Sequence, residues 1–259
     1  MKIIGVQLDI VWENKQANFA KVGSLLEEVP IDPGSLIVLP EMFATGFSMN
    51  VAAMAEDESG GTFAFLKDLA RRRQAFVGGG VVTRNPDGRG CNEAVIIDSR
   101  GFLYSRYSKI HPFSLAGENR HYAPGNRIVT FPLHEFTVAP FICYDLRFPE
   151  IFRLAVRRNV DLFMVIACWP AKRESHWMAL LAARAIENQA YVIGVNRCGA
   201  DPEHAYSGRS QIVDPSGRVI ADAGNDEGLL RAELDHAWVE NYRRELPFLT
   251  DRREEYHLD

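Results

Sequence analysis

No apolar run in the sequence is long enough to cross a bilayer, so a helical membrane protein is not expected. Basic residues never gather into a free-standing stretch. The only basic triplet, Arg71-Arg72-Arg73, closes a predicted amphipathic helix, and the formal net charge is −5, so nothing recommends a nucleic-acid surface. Cysteine is sparse: Cys91, Cys143, Cys168 and Cys198 are scattered, with no CxxC pair. The N-terminal MKIIGVQLDIVW alternates apolar and polar residues like a strand and has no small-residue cleavage site behind it. Free thiols in a reducing cytoplasm are therefore expected rather than disulfides. The histidines form no pair at helical ligand spacing, so no metal is called for, and no cofactor motif is present. Gly78-Gly79-Gly80 lacks the Lys-Ser/Thr of a phosphate loop, and close backbone packing explains it better. Repeats, low-complexity tracts and Pro/Gly/Ser-rich linkers are also missing, which makes a single domain over residues 1–259 the expectation.

What is present is an alternation of strand-like and helix-like runs. Residues 3–10 read as a strand. After Asn14, a plausible cap, Val22, Leu25, Leu26 and Val29 share one helical face. Leu36–Leu39 is a short buried strand, and a second helix runs from Thr62 to about Gln74 with Phe65, Leu66 and Leu69 inward. Strands follow over 75–83, 92–98 and 102–107, separated by Asn85-Pro86-Asp87-Gly88 and Ser99-Arg100-Gly101. Next come a strand over 136–143, a helix opening at Pro149, a strand over 162–167, a helix over 174–189 and a strand over 191–196. Two strands joined through Asp214-Pro215-Ser216-Gly217, a strand over 228–234 and a terminal helix from Trp238 to Leu246 complete the chain, with a charged tail beyond. Tight hairpins mixed with longer crossovers predict an α/β protein with two packed mixed sheets covered by helices.

Three strands end in a reactive side chain. Leu36-Ile37-Val38-Leu39-Pro40 leads to Glu41, the run from Leu103 to Ser108 leads to Lys109, and Val138-Ala139-Pro140-Phe141-Ile142 leads to Cys143. Ligand clefts form at such strand ends. A thiol at a strand-to-helix turn is held sharply, a buried carboxylate can take its proton, and a lysine can stabilise an oxyanion. Each type has a plain role as well: cysteine as core filler, glutamate as a loop charge, lysine as a surface amine. Composition and spacing leave these alternatives open, along with a protease-like pairing of Cys143 with His111, His121 or His176.

The segments Leu39-Pro40-Glu41-Met42-Phe43, Tyr107-Ser108-Lys109-Ile110-His111 and Cys143-Tyr144-Asp145-Leu146-Arg147-Phe148-Pro149-Glu150 resemble, in order, the three signature motifs of the nitrilase superfamily of carbon–nitrogen hydrolases. The resemblance implies a four-layer αββα sandwich with two mixed β-sheets. It also implies Glu41 as general base, Lys109 as electrophilic stabiliser, Cys143 as nucleophile, and Glu118 as a second glutamate that positions the lysine. The stretches 41–48, Cys168-Trp169-Pro170 and 183–191 look most like the amidase branch that includes the omega-amidases. The activity so implied is hydrolysis of a small linear amide through a Cys acyl-enzyme, best the omega-amide of a short 2-oxo acid such as 2-oxoglutaramate, releasing ammonia. An N-carbamoyl or other acyl-amide hydrolase is the alternative, and a non-catalytic binding or scaffold protein on the same fold is the alternative of another class. The family often forms dimers, so a homodimer is expected.

Tyr144, Arg147 and Trp169 are read as substrate-binding. Arg147 is suited to grip a carboxylate in two parallel hydrogen bonds, or else pairs with Glu150 or Asp145 to hold the turn. Trp169 makes an apolar pocket wall or fills core. Arg184 and Glu187, three residues apart on a helix, read as a structural ion pair.

Overall fold

The structure, a computed structural model, describes residues 1–27 and 29–253. One sheet contains β1 (Lys2–Gln7), β2 (Leu36–Val38), β3 (Phe76–Arg84), β4 (Gly90–Ile97), β5 (Leu103–Ser108) and β14 (Gly228–Glu233), in the spatial order β14-β1-β2-β3-β4-β5. The other contains β6 (Phe131–Leu133), β7 (Phe136–Ile142), β8 (Leu162–Ala167), β9 (Tyr191–Asn196), β12 (Gln211–Val213) and β13 (Val219–Asp222), in the order β13-β12-β9-β8-β7-β6. In each, three neighbouring strands run parallel and the flanking ones antiparallel. A small hairpin, β10 (Cys198–Ala200) and β11 (Ala205–Ser207), stands apart from both.

The period-two geometry of a strand sends alternate residues of the first sheet to different layers. Ile3, Leu36, Val38 and Ile96 enter the core shared with the second sheet. Ile4, Ile37, Leu39 and Ile97 face the opposite way, against Phe19, Val22 and Leu26 of α1 (Lys15–Glu27) and Phe63, Leu66 and Leu69 of α3 (Gly61–Arg73). On the far side, Ile151 and Phe152 of α5 (Pro149–Val156) and Trp177 and Leu181 of α6 (Glu174–Asn188) cover the second sheet. The result is the αββα sandwich. Short helices α2 (Val51–Met54) and α4 (Glu118–His121) lie in loops, and α7 (His236–Glu245) is followed by a 3-10 turn over Phe248–Asp251. No described helix is long and apolar enough to cross a membrane.

Local signals act as anticipated at several boundaries. The Asn14 side chain accepts from Ala17 N–H at 3.1 Å, and Pro149 opens α5, where a missing N–H costs nothing. Val29, expected on the α1 face, lies past the helix, which ends at Glu27. Pro30 disfavours helical backbone at the residue before it, and that outweighs the apolar spacing. Pieces of three or four residues (α2, α4, β6, β10, β11) were not anticipated, because they are too short to show a period. Of the charged tail, residues 254–259 lie outside the described residues.

Candidate active site

Glu41 follows β2 through Leu39 and Pro40, where Leu39 N–H donates to Gly78 O at 2.8 Å and Gly80 N–H to Pro40 O at 3.0 Å. The triple glycine makes this crossing possible. A Cβ on Gly80 would lie 2.3 Å from the Met42 nitrogen and 2.5 Å from the Glu41 Cα. Glu41 is fully buried. Its Oε1 accepts from Lys109 Nζ at 2.8 Å and from Asn92 Nδ2 at 2.6 Å, while its Oε2 accepts from the Cys168 backbone N–H at 2.8 Å.

Lys109 leaves the end of β5, and its N–H donates to Asn92 O of β4 at 2.9 Å. Nζ donates to Glu41 Oε1 and also to Glu118 Oε2 at 2.9 Å, with Oε1 at 3.1 Å. Burial alone would disfavour the ammonium, but Glu118 and Glu41 outweigh it and push the Lys109 pKa well above its ordinary value. Glu118 begins α4, and its Oε2 also takes the Phe113 N–H at 2.5 Å. Burial raises the Glu118 pKa, opposed by the lysine. The ammonium is thus clamped between two carboxylates.

Cys143 sits at the end of β7 with φ of 48°, a left-handed conformation that a non-glycine residue adopts only when its surroundings hold it there. Asp145 is one such restraint. Its Oδ2 accepts from Ile142 N–H at 3.1 Å and from the Tyr107 hydroxyl at 2.8 Å, and its Oδ1 from His111 N–H at 3.0 Å. The strand end carrying Lys109 is thereby tied to the turn carrying the thiol. From beneath, Arg184 of α6 donates to Leu146 O from Nη2 at 2.7 Å and from Nε at 3.1 Å. Arg184 also pairs with Glu187 at 3.0 Å, as its spacing suggests. Burial, reinforced by Glu41, pushes the Cys143 thiol well above its usual pKa, with Lys109 pulling the other way.

Cys143 opens onto a pocket, partly open to solvent, that also presents Tyr144, Arg147, Trp169 and Arg173. Tyr144 packs against Phe113 and Phe148, with ring centroids 4.9 and 5.2 Å apart. Trp169 is buried, and the Arg147 guanidinium lies 4.8 Å from its ring centroid. Arg147 bonds His176 Nδ1 at 3.1 Å and makes no ion pair with Glu150 or Asp145. No histidine hydrogen-bonds the thiol among the described residues: His111 Nδ1 is 2.8 Å from Asp145, and His121 is exposed.

All seven residues singled out from the sequence therefore converge on this pocket or on the buried cluster behind it. Asn92, Asp145 and Arg173 were missed as site residues. Asn92 had no signal beyond lying on a predicted strand, and Asp145 lay inside a quoted motif without a role of its own. A thiol on the pocket wall, with a buried carboxylate and a clamped ammonium behind it, forms a set competent for acyl transfer.

The carbon-nitrogen hydrolase family model matches residues 5–244. The omega-amidase YafV of Yersinia enterocolitica is 40% identical over 253 residues, covering 97% of this chain and 96% of the relative. The 2-oxoglutaramate amidase of Bacillus subtilis is 32% identical over 97% of each chain. A CN-hydrolase superfamily protein from Xanthomonas campestris, solved with an arsenic adduct in its active site, superposes with a TM-score of 0.93 at 31% identity over 100% of this chain and 99% of the other. With three ordered motifs, a two-sheet sandwich and matches along nearly its whole length, the chain belongs to the carbon–nitrogen hydrolase family.

Proposed function

We propose that this hydrolase cleaves the terminal amide of a short 2-oxo acid, 2-oxoglutaramate being the model substrate, with Cys143 as nucleophile, Glu41 as base and Lys109 as oxyanion stabiliser. Glu41 takes the thiol proton as sulfur attacks the amide carbon, and the negative charge that develops on oxygen is met by the Lys109 ammonium. Collapse of the tetrahedral intermediate breaks the C–N bond, and Glu41 returns the proton to the leaving nitrogen, which departs as ammonia. Water, deprotonated by Glu41, then cleaves the thioester to give the carboxylate and the free thiol. Glu118 keeps Lys109 charged and aimed throughout.

The observation that carries the chemistry is the Lys109 ammonium clamped by Glu41 and Glu118 behind a pocket that opens on Cys143. The substrate class is supported by Arg147 at the pocket wall and by relatives named omega-amidase and 2-oxoglutaramate amidase. We further infer a cytoplasmic homodimer: the thiol chemistry suits a reducing compartment, and Leu154 of α5 and Ile186 of α6 are exposed apolar side chains suited to self-association.

Ammonia release over a panel of short amides, nitriles and N-carbamoyl compounds tests the reading. Expected is turnover concentrated on omega-amides of 2-oxo acids, loss of turnover in Cys143→Ala with an unchanged circular dichroism spectrum, and an acyl adduct on the Cys143 peptide of quenched enzyme. Activity only on carbamoyl compounds would reassign the substrate. Full activity in Cys143→Ala would overturn the mechanism.

A further inference from the structure

We propose that Arg173, a residue without an assigned role, joins Arg147 in a two-guanidinium subsite that admits a 2-oxo carboxylate and rejects an α-ammonium group. The inference rests on the amide-hydrolase reading of the pocket and adds the device that sets its specificity.

The two arginines reach the pocket from different elements. Arg147 comes from the turn after β7 and lies over Trp169. Arg173 comes from the turn after β8, with its guanidinium 5.3 Å from the Phe113 ring centroid. That turn is fixed where the Trp169 Nε1–H donates to the Arg173 carbonyl at 2.7 Å. Both side chains line the same pocket as Cys143.

Neither has an acidic partner. Among the described residues no carboxylate lies within ion-pair distance of either, and the pocket wall they share contains no Asp or Glu. Three other sheltered arginines are neutralised, Arg106 by Glu58 at 2.7 Å, Arg184 by Glu187 at 3.0 Å and Arg209 by Asp222 at 3.1 Å, while Arg243 is held by backbone carbonyls of Gln189, Val160 and Asn188. The carboxylates deeper in the site are already engaged by Lys109. Burial and then the nearby Arg173 charge lower the Arg147 pKa, as two cations sharing one wall should. Holding two half-buried like charges together without an anion is unfavourable, and an anionic ligand would relieve it.

The chemistry of the ligand follows. A 2-oxo carboxylate offers three acceptor oxygens on adjacent carbons, and two guanidinium forks offer donors enough for all of them. An α-amino acid of the same length replaces the oxo oxygen by a cation that can only donate, and it would face two fixed positive charges. Attraction for one substrate and repulsion of the other act at the same place.

Two measurements test the subsite separately from the amidase reading. In the first, kcat/KM is compared for 2-oxoglutaramate, glutamine and pentanamide with wild type, Arg147→Met and Arg173→Met. Each variant should lose roughly ten- to a hundredfold on 2-oxoglutaramate, well beyond its loss on pentanamide, and the ratio of 2-oxoglutaramate to glutamine should narrow. In the second, which needs no turnover, 2-oxopentanoate should protect Cys143 of wild type from iodoacetamide while norvaline does not, and Arg173→Met should abolish that protection. Equal losses on acidic and neutral amides would assign Arg173 to holding the Trp169 turn. Absent protection in wild type would overturn the subsite even if amidase activity is found. Protection without turnover of any amide would leave the subsite standing and overturn the amidase reading.

Discussion

Asn92 shows how much one side chain can decide. Its single Nδ2 donates to Glu41 Oε1 and to Glu118 Oε1, at 2.6 and 2.8 Å, so one amide bridges both carboxylates that hold Lys109. In the proposed mechanism the proton acceptor is Oε2, because Oε1 already takes Lys109 and Asn92 while Oε2 takes only the Cys168 N–H. Glu41→Gln keeps the shape and removes the acceptor, so kcat should fall by roughly 10²–10⁴. Asn92→Asp replaces the bridging donor with a third carboxyl group. Negative charge beside Glu118, whose carboxyl pKa burial already raises, favours its protonated form further, so its hold on Lys109 is lost at higher pH. The acid limb of the kcat/KM profile should therefore move upward in pH, and Asn92→Ala should lower the rate with a smaller movement. A profile that scales down without shifting would mean that Asn92 only packs.

Among the elements, β3 is the one whose sequence is set by what crosses it. Gly78 and Gly80 keep its surface bare where Met164 and the Glu41 segment pack, and the space at Gly80 is occupied by main chain, which cannot turn aside as a side chain can. Gly80→Ala is expected to push the segment from Pro40 to Met42 off β3. A destabilisation of about 1–3 kcal/mol in urea unfolding is the ordinary cost of such overpacking, and kcat should fall along with it because Glu41 is displaced. Undiminished kcat in Gly80→Ala would mean that the segment can shift without moving the carboxylate. Strand and helix spans were readable here wherever a period ran for six residues or more. β8 and β9 fall on the anticipated residues, and α6 ends one residue short of them. The β10/β11 hairpin was not readable. It is held in part by Arg197, a buried side chain that donates to Ile10 O at 3.1 Å and to Ala200 O at 2.9 Å, and such distant partners leave no trace in local spacing.

For the whole molecule, the two-sheet core leaves α5 and α6 as an outer layer with Leu154 and Ile186 exposed. If that face joins two copies, Leu154→Glu and Ile186→Glu should each shift the protein toward monomer in sedimentation, since charges are depleted from the centre of such interfaces. A monomeric wild type would remove the proposal. The sequence by itself determined the layer pattern, because alternating and helical periods dictate which residues must leave water. It also determined the three reactive strand ends, because motif chemistry is written in consecutive residues. It could not say whether Arg147 pairs with Glu150, with Asp145 or with neither, nor that Arg173 stands beside it, nor that Asn92 joins two glutamates. Those depend on chain segments tens of residues apart meeting at one end of two packed sheets. Only tertiary structure decides which charges are left without partners there.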